Sequence, residues 1–140
     1  MIDHVWSVLC ETSLLDQDSK LISLINVLEQ LTIPEVPAPD KELPIVVNLV
    51  STWVRSDLNV PSQGQSQINF VSPSGNVLQV LANNIDLTKY ERLRARGQFR
   101  GLKLPEEGQY HFDVEFREDD QHDWSKVASV PLKIIFKSNE

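Results

Sequence analysis

Hydrophobic and polar side chains alternate along much of the chain after residue 44. In residues 110–117 every second side chain is aromatic or aliphatic, and the side chains between them are polar. This period of two is typical of a strand with one face in a core and the other in solvent. The same pattern recurs at Val130, Leu132, Ile134 and Phe136. The pattern therefore predicts half-buried β-strands.

Other segments with strand composition are separated by short turn clusters, such as residues 72–76 and 105–108. The predicted strands cover residues 45–54, 66–71, 77–82, 94–104, 110–118 and 124–136, the last interrupted by Pro131. Short strands at this regular spacing are typical of a sandwich or barrel. We therefore predict a single all-β domain over residues 1–140. It is an antiparallel β-sandwich of about seven to nine strands, with room for one short helix near residues 86–93.

Residues 34–44 form the only linker-like stretch of the chain. Four prolines fall within it: Pro34, Pro37, Pro39 and Pro44. Because proline removes a backbone donor and fixes φ, this stretch excludes a helix and favours an extended conformation. It lies too near the N-terminus to separate two full domains, so we predict a crossover between the two layers of one domain.

Residues 19–33 allow two interpretations. Their apolar side chains recur at helical spacing, with Ser19 available as an N-cap. The residues that show this spacing are Leu21, Leu24, Ile25, Leu28 and Leu31. Periodicity alone therefore favours a helix, and the alternative is a strand.

A Val-Leu-Cys-Glu segment at residues 8–11 is followed, after a polar gap, by a lysine-led apolar segment at residues 20–28. Together they resemble the opening hairpin of an uncharacterised bacterial β-sandwich family, and a Gly-x-Tyr-x-Phe strand at residues 108–112 extends the resemblance. Ser19 and Asn26 stand where that family has glycines, and both residue types tolerate turn or bulge geometry. The resemblance implies strands here and implies no activity, and we adopt the strand interpretation.

The composition limits the compartment and the partners. Cys10 is the single cysteine, so no internal disulfide can form, and no Asn-x-Ser/Thr acceptor occurs. The sequence shows no signal peptide and no apolar run long enough to span a membrane. The net charge of −7 repels phosphate backbones, which argues against nucleic acid as a partner. We therefore predict a cytoplasmic protein that binds neither nucleic acid nor membranes.

The charges of the C-terminal half fall into two blocks. The basic block contains Lys89, Arg92, Arg94, Arg96, Arg100 and Lys103. The acidic block contains Glu106, Glu107, Asp113, Glu115, Glu118, Asp119, Asp120 and Asp123. Arg92, Arg94 and Arg96 share one strand face, a row that could hold a phosphate, a sulfated sugar or an acidic partner. These three arginines and His111 are the candidate ligand-binding residues.

A hairpin of residues 94–104 with residues 110–116 gives a competing explanation for the same charges. With a bulge at Gly101, the core pairs are Leu104 with Tyr110, Leu102 with Phe112 and Phe99 with Val114. Outside the core, Arg100 then meets Asp113 and Arg94 meets Asp119. The two blocks would neutralise each other, and we favour this solvated ladder over an anion site because charge runs usually line a wet face.

Metal, cofactor and catalytic chemistry find no support in the sequence. Residues 118–123 hold four acids in one loop, but their spacing matches no calcium loop, and we predict a plain loop. His4, His111 and His122 are dispersed, which suggests no zinc site. Cys10 alternates with apolar neighbours, as a buried and inert thiol does. No nucleophile elbow or phosphate loop occurs, and the tryptophans are predicted core residues: Trp6, Trp53 and Trp124.

By elimination, we predict a non-enzymatic protein-interaction module of the bacterial cytoplasm. Its predicted surface is the arginine strand with residues 83–90, or an unpaired sheet edge that leaves a homo-oligomer open. The alternative is a small anionic-ligand binder or a hydrolase that uses the arginine row 92–96 with His111 or His122. A concave pocket in which Arg92, Arg94 or Arg96 converge unpaired near a histidine would favour this alternative, and arginines paired with Asp113 and Asp119 on a flat face would defeat it.

Overall fold

The computed structural model describes residues 1–38 and 40–137 of the chain. Its strands are β1 (Ile2–Leu15), β2 (Ile22–Val27), β3 (Gln30–Ile33), β4 (Glu42–Leu43), β5 (Val47–Arg55), β6 (Ser62–Val71), β7 (Val77–Leu87), β8 (Arg92–Phe99), β9 (Leu102–Lys103), β10 (Gly108–Arg117) and β11 (Ser125–Phe136). The predicted short helix near residues 86–93 is wrong, because β7 continues to Leu87 and β8 begins at Arg92. Within the described residues there is no helix that is long and apolar enough to cross a membrane.

The strands form a β-sandwich-like fold, as predicted, but the described residues contain eleven strands and not seven to nine. Sheet A has the strand order β2-β1-β5-β8, and sheet B has the order β3-β11-β10-β6-β7. The two-residue strands β4 and β9 pair separately. The pairing of β3 with β11 is parallel, and the other pairings within the described residues are antiparallel. The chain passes from β3 in sheet B to β5 in sheet A through the proline-rich stretch, of which Pro39 lies outside the described residues.

An aromatic cluster lies between the two sheets. The ring of Phe70 on β6 stacks on Phe112 at 4.6 Å and on Tyr110 at 5.3 Å, and the ring of Phe99 on β8 meets Phe112 at 5.1 Å. All four side chains are buried. Burial of each aromatic side chain contributes about 1.5–3 kcal/mol, and the contacts of Phe99 with Phe70 and Phe112 join the two sheets.

The alternation predicted for β10 is confirmed. Its buried side chains are Tyr110, Phe112, Val114 and Phe116. β11 runs through Pro131 without the predicted interruption. The backbone amide of Lys133 donates to the carbonyl oxygen of Glu29, on the side of β11 that faces β3. Backbone directions repeat at every second residue of a strand, so the nitrogen of Pro131 also points to that side, at a position beyond the end of β3. The missing donor of Pro131 therefore removes no bond to β3.

The strand interpretation of residues 19–33 is also confirmed, because this segment contains β2 and β3. Asn26 adopts φ of 55°, a left-handed conformation that asparagine tolerates better than most residues. At the hairpin turn the left-handed residue is Lys20, with φ of 63°, and not Ser19. The Asp16 carboxylate accepts the amides of Asp18 and Ser19 and so stabilises this turn.

The predicted hairpin between residues 94–104 and 110–116 is wrong. β8 pairs with β5 in sheet A, whereas β10 pairs with β6 and β11 in sheet B. Residues 100–107 therefore cross from one sheet to the other. Gly101 lies in this crossing and not at a bulge, and a Cβ there would require the exposed side chain of Glu42 to move.

Candidate functional site

Strand β8 places three arginines in a row at one edge of sheet A. Arg92, Arg94 and Arg96 alternate with Leu93 and Ala95, so their side chains leave the same face of the sheet. Within the described chain β8 pairs with β5 alone. We call these three residues the arginine row.

The end of the β1–β2 hairpin lies opposite the arginine row. β1 pairs with β5 only as far as Cys10, and the hairpin continues beyond that point. The Nη1 atom of Arg94 donates a hydrogen bond of 3.0 Å to the carbonyl oxygen of Lys20 in the hairpin turn. The space between them, which we call the arginine groove, has a volume of about 970 Å³. It is lined by Ser13, Leu15, Lys20, Ile22, Val50, Tyr90, Arg92, Arg94, Ala95 and Arg96.

The positive charges of the groove lack carboxylate partners among residues 1–38 and 40–137. The salt bridges of that part join Arg117 to Asp120, His122 to Glu118 and Asp119, and Lys126 to Asp113. The predicted pairs of Arg94 with Asp119 and of Arg100 with Asp113 are therefore wrong. The guanidinium groups of Arg92 and Arg96 have no hydrogen-bond partner in the described structure and remain available to a ligand.

Apolar side chains complete the groove. Leu15 and Tyr90 remain 57% and 67% exposed, although both are large enough to bury. Ile22 and Val50 line the same space. An apolar wall beside a charge lowers the local dielectric constant and strengthens the attraction of an anion. The groove thus suits a ligand with both charged and apolar parts.

Cys10 lies close to this site but is not exposed to it. Its thiol is fully buried on β1, opposite Asn48 of β5. Burial raises the pKa of the Cys10 thiol, and the charge of Arg96 partly opposes that rise. The thiol is therefore protonated and inaccessible, which confirms the prediction of a buried cysteine.

Comparisons with known proteins add no family to this description. No protein-family model and no curated protein matches the chain. What the protein can bind must therefore be inferred from the chemistry of the arginine groove itself.

The candidate histidines lie away from the arginine row. His111 is on β10, opposite Val71 and Pro131 in sheet B. His122 follows β10 in a loop, where its Nδ1 is 2.7 Å from Asp119 Oδ1. That hydrogen bond raises the pKa of His122. The structure therefore brings the three predicted arginines together but separates them from His111.

The acidic loop at residues 118–123 uses its carboxylates within the chain. Asp119 accepts a hydrogen bond from the amide of Gln121 as well as from His122, and Asp120 lies 3.2 Å from the guanidinium of Arg117. The described ranges contain no group of three or more His, Cys, Asp or Glu residues arranged to hold a metal ion.

The three tryptophans have different surroundings. Trp53 is 1% exposed and packs against Phe116, which confirms it as a core residue. Trp6 is only partly buried. Trp124 is also partly buried, and the guanidinium of Arg117 lies 4.2 Å above its ring. Core placement was therefore predicted correctly for Trp53 alone.

A chain of hydrogen bonds inside sheet A was not predicted from the sequence patterns. His4 Nε2 lies 2.7 Å from Ser7 Oγ, which lies 2.7 Å from Ser51 Oγ. The edge of the His4 ring packs on Trp53, and burial lowers the pKa of His4. A neutral histidine beside a serine resembles part of a nucleophilic site. Here, however, the Ser7 hydroxyl is held between His4 and Ser51, so the chain links β1 to β5.

Lys20, Leu15 and Ile22 are groove residues that sequence reasoning missed. They lie far from the arginine row in sequence, and the β1–β2 hairpin brings them to it. Tyr90 falls at the end of residues 83–90, which were predicted to adjoin the binding surface. The available signal for this part of the groove was a group of exposed apolar residues around the hairpin turn: Leu14, Leu15 and Leu21. Apolar residues at an exposed turn suggest a contact surface.

Proposed function

We propose that this protein is a non-enzymatic interaction module of the bacterial cytoplasm, and that it binds an acidic segment of a protein partner in the arginine groove. The observation that carries the proposal is the arginine row. Arg92, Arg94 and Arg96 line a concave space together with Lys20. A guanidinium forms its strongest hydrogen bonds with carboxylates, which makes an acidic segment a suitable ligand.

The overall charge supports a short acidic ligand over a long polyanion. The chain carries a net charge of −7, so a nucleic acid would meet repulsion over most of the surface. A short acidic segment needs to enter only the local positive field of the groove. The single cysteine and the resemblance of the opening hairpin to a bacterial family support a reducing, bacterial compartment.

A small anionic metabolite is the second candidate ligand, because the groove is concave and has room for one. Hydrolysis of such a molecule requires a general base within hydrogen-bond reach. The groove residues of the described chain include no histidine and no carboxylate. The groove therefore favours binding over hydrolysis.

A binding experiment with an acidic peptide tests the proposal. A fluorescein-labelled heptapeptide of glutamates is titrated with the protein and followed by fluorescence anisotropy. The variant Arg92→Glu/Arg94→Glu/Arg96→Glu should bind at least about a hundredfold more weakly, since each charged hydrogen bond contributes about 1.5–3 kcal/mol. The control variant carries the same change of net charge on exposed lysines outside the groove: Lys41→Glu, Lys103→Glu and Lys133→Glu.

Equal loss of affinity in both variants would show that only the net charge matters, and the proposal would then be wrong. Unfolding curves of both variants establish that they are folded. Titration with inorganic pyrophosphate by calorimetry tests the second candidate. Pyrophosphate binding that depends on the arginine row, without any binding of the peptide, would replace the protein partner by a small anion.

A further inference from the structure

We infer that the partner binds as an additional β-strand on the free edge of β8, and that its strand carries an acidic residue at every second position. This inference rests on the proposed function, because it specifies how the acidic segment meets the arginine row. It has three supports: the backbone groups of β8, the spacing of the arginines and the effect of like charges at this edge.

The backbone of the arginine row points away from β5. The amide of Arg55 donates to the carbonyl of Glu91, so residues 55 and 91 form a hydrogen-bonded pair of the antiparallel ladder. Such pairs alternate with pairs whose N–H and C=O groups point outward. By this alternation Arg92, Arg94 and Arg96 direct their backbone groups to the outer edge. Within the described residues no other strand pairs with β8 there.

An unpaired row of backbone donors and acceptors is a template for another strand. Each residue of the arginine row therefore combines backbone groups that point to the outer edge with a side chain on the outer face of sheet A. Its backbone can bond an added strand, and its guanidinium can bond a side chain of that strand. The alternating residues Leu93 and Ala95 pack against the core and carry no charge.

The spacing of the arginines matches an extended peptide. Alternate residues of a strand lie about 6.6 Å apart on one face, and side chains directly opposite on a neighbouring strand have Cβ atoms about 4.5–5.5 Å apart. An added strand with acids at alternate positions therefore places one carboxylate beside each arginine. A compact anion reaches fewer of the three guanidinium groups at once.

A second copy of this chain is a poor occupant of the edge. If two β8 strands paired with each other, two arginine rows would lie on the same face of the joined sheet. Like charges opposite one another destabilise a strand pair. Because the row disfavours self-pairing and attracts carboxylates, it selects an acidic strand from a different protein.

Three labelled heptapeptides distinguish strand addition from simple charge attraction. The first alternates glutamate and threonine, beginning and ending with glutamate. The second has the same composition with its four glutamates in one block. The third is the alternating peptide with N-methyl groups on the residues whose amides would face β8. Fluorescence anisotropy gives the affinity of each peptide for the full chain.

The alternating peptide should bind at least about tenfold more tightly than the block peptide and the N-methylated peptide, since each of these loses hydrogen bonds of the added strand. Hydrogen exchange at the amides of Arg92, Arg94 and Arg96 should slow when the alternating peptide binds. Arg92→Glu/Arg96→Glu, which retains Arg94 and its bond to Lys20, should weaken binding of the alternating peptide by at least about tenfold.

Equal affinity for the three peptides, with loss of all binding in the Arg92→Glu/Arg96→Glu variant, would overturn strand addition and leave anion binding in the groove intact. Binding that survives the double and triple glutamate variants would overturn the proposed function as well. Failure of all three peptides to bind would likewise overturn both strand addition and the proposed function, because the arginine row would then only protect the edge.

Discussion

The charged residues on the outer faces of the two sheets differ in whether they have bonding partners within the chain. On sheet B, Glu115 Oε1 accepts hydrogen bonds from the side-chain amides of Gln67 at 2.7 Å and Asn69 at 2.5 Å. On the same face Asp113 is bonded to Ser129 and lies 3.4 Å from Lys126. On sheet A, the described arginine row has one side-chain hydrogen bond, from Arg94 to the Lys20 carbonyl. Glu115 and Asp113 are satisfied within the chain, whereas the guanidinium groups of Arg92 and Arg96 are not.

This difference distinguishes structure from recognition. A charged side chain with cross-strand partners fixes the register of a sheet and has little left to offer a ligand. A row of charges without such partners contributes little to stability and keeps its hydrogen-bonding capacity for another molecule. Mutations on the two faces should therefore have opposite consequences for stability and binding.

The largest expected effect is the salt dependence of binding. Raising NaCl from about 50 to 500 mM should weaken binding of the acidic heptapeptide by at least about tenfold, because exposed charges are screened as the Debye length falls. The unfolding midpoint in urea should move little, since the bonds of sheet B are short and mainly involve neutral amide donors. Anisotropy and urea titrations at both salt concentrations measure the two responses. A salt-independent affinity would contradict the assignment of binding to the arginine row.

A smaller effect concerns stability. Glu115→Ala should cost about 1–3 kcal/mol in the free energy of unfolding, because it leaves the partly buried amides of Gln67 and Asn69 without their acceptor. Glu115→Gln retains an acceptor and should cost less. Arg92→Ala is the matched control for Glu115→Ala, because it also removes one charge but from sheet A. It should change the free energy of unfolding by no more than about 0.5 kcal/mol. Urea unfolding of the three variants tests this order, and an Arg92→Ala cost equal to that of Glu115→Ala would remove the contrast.

The smallest effect concerns two histidines whose pKa values shift in opposite directions. Burial lowers the pKa of His4 in sheet A, so His4 favours the folded state above about pH 6.5 and this contribution is lost as pH falls below that value. The hydrogen bond from His122 to Asp119 raises the pKa of His122. Its contribution is present below about pH 6.5 and is lost as pH rises through the raised pKa. The difference in unfolding free energy between the wild type and each variant, His4→Gln or His122→Gln, is measured from pH 5 to 8. This difference should change with pH in opposite directions for the two histidines, and changes in the same direction would contradict the assignment.

The faces of the strands were predictable from sequence, but their neighbours were not. Alternation in residues 110–117 is a local property, so it reports which side chains are buried. Pairing is not local. Residues 94–104 and 110–116 flank a turn cluster and look like a hairpin, since consecutive strands are usually neighbours. In the structure β8 and β10 belong to different sheets, because the chain changes layer at residues 100–107.

The same limit explains which residues of the candidate site were predicted. Arg92, Arg94 and Arg96 lie on one strand and could be recognised as a row from their spacing alone. Carboxylate partners were predicted for this basic block. That prediction was wrong because it assumed that β8 pairs with β10. Lys20 and Leu15 come from a hairpin far away in sequence, and only the folded β1–β2 unit places them opposite the row.

The parallel pairing of β3 with β11 has a consequence for the order of folding. Gln30 pairs with Lys133, so β3 acquires its neighbouring strand only after β11, the last described strand, has been synthesised. During synthesis β10 likewise waits for β11 on one of its sides. Contacts between such distant segments slow folding, because much chain entropy must be lost before they form. Sheet B therefore closes late, and a nascent chain released before β11 emerges would expose β3 without a partner strand and one unpaired edge of β10.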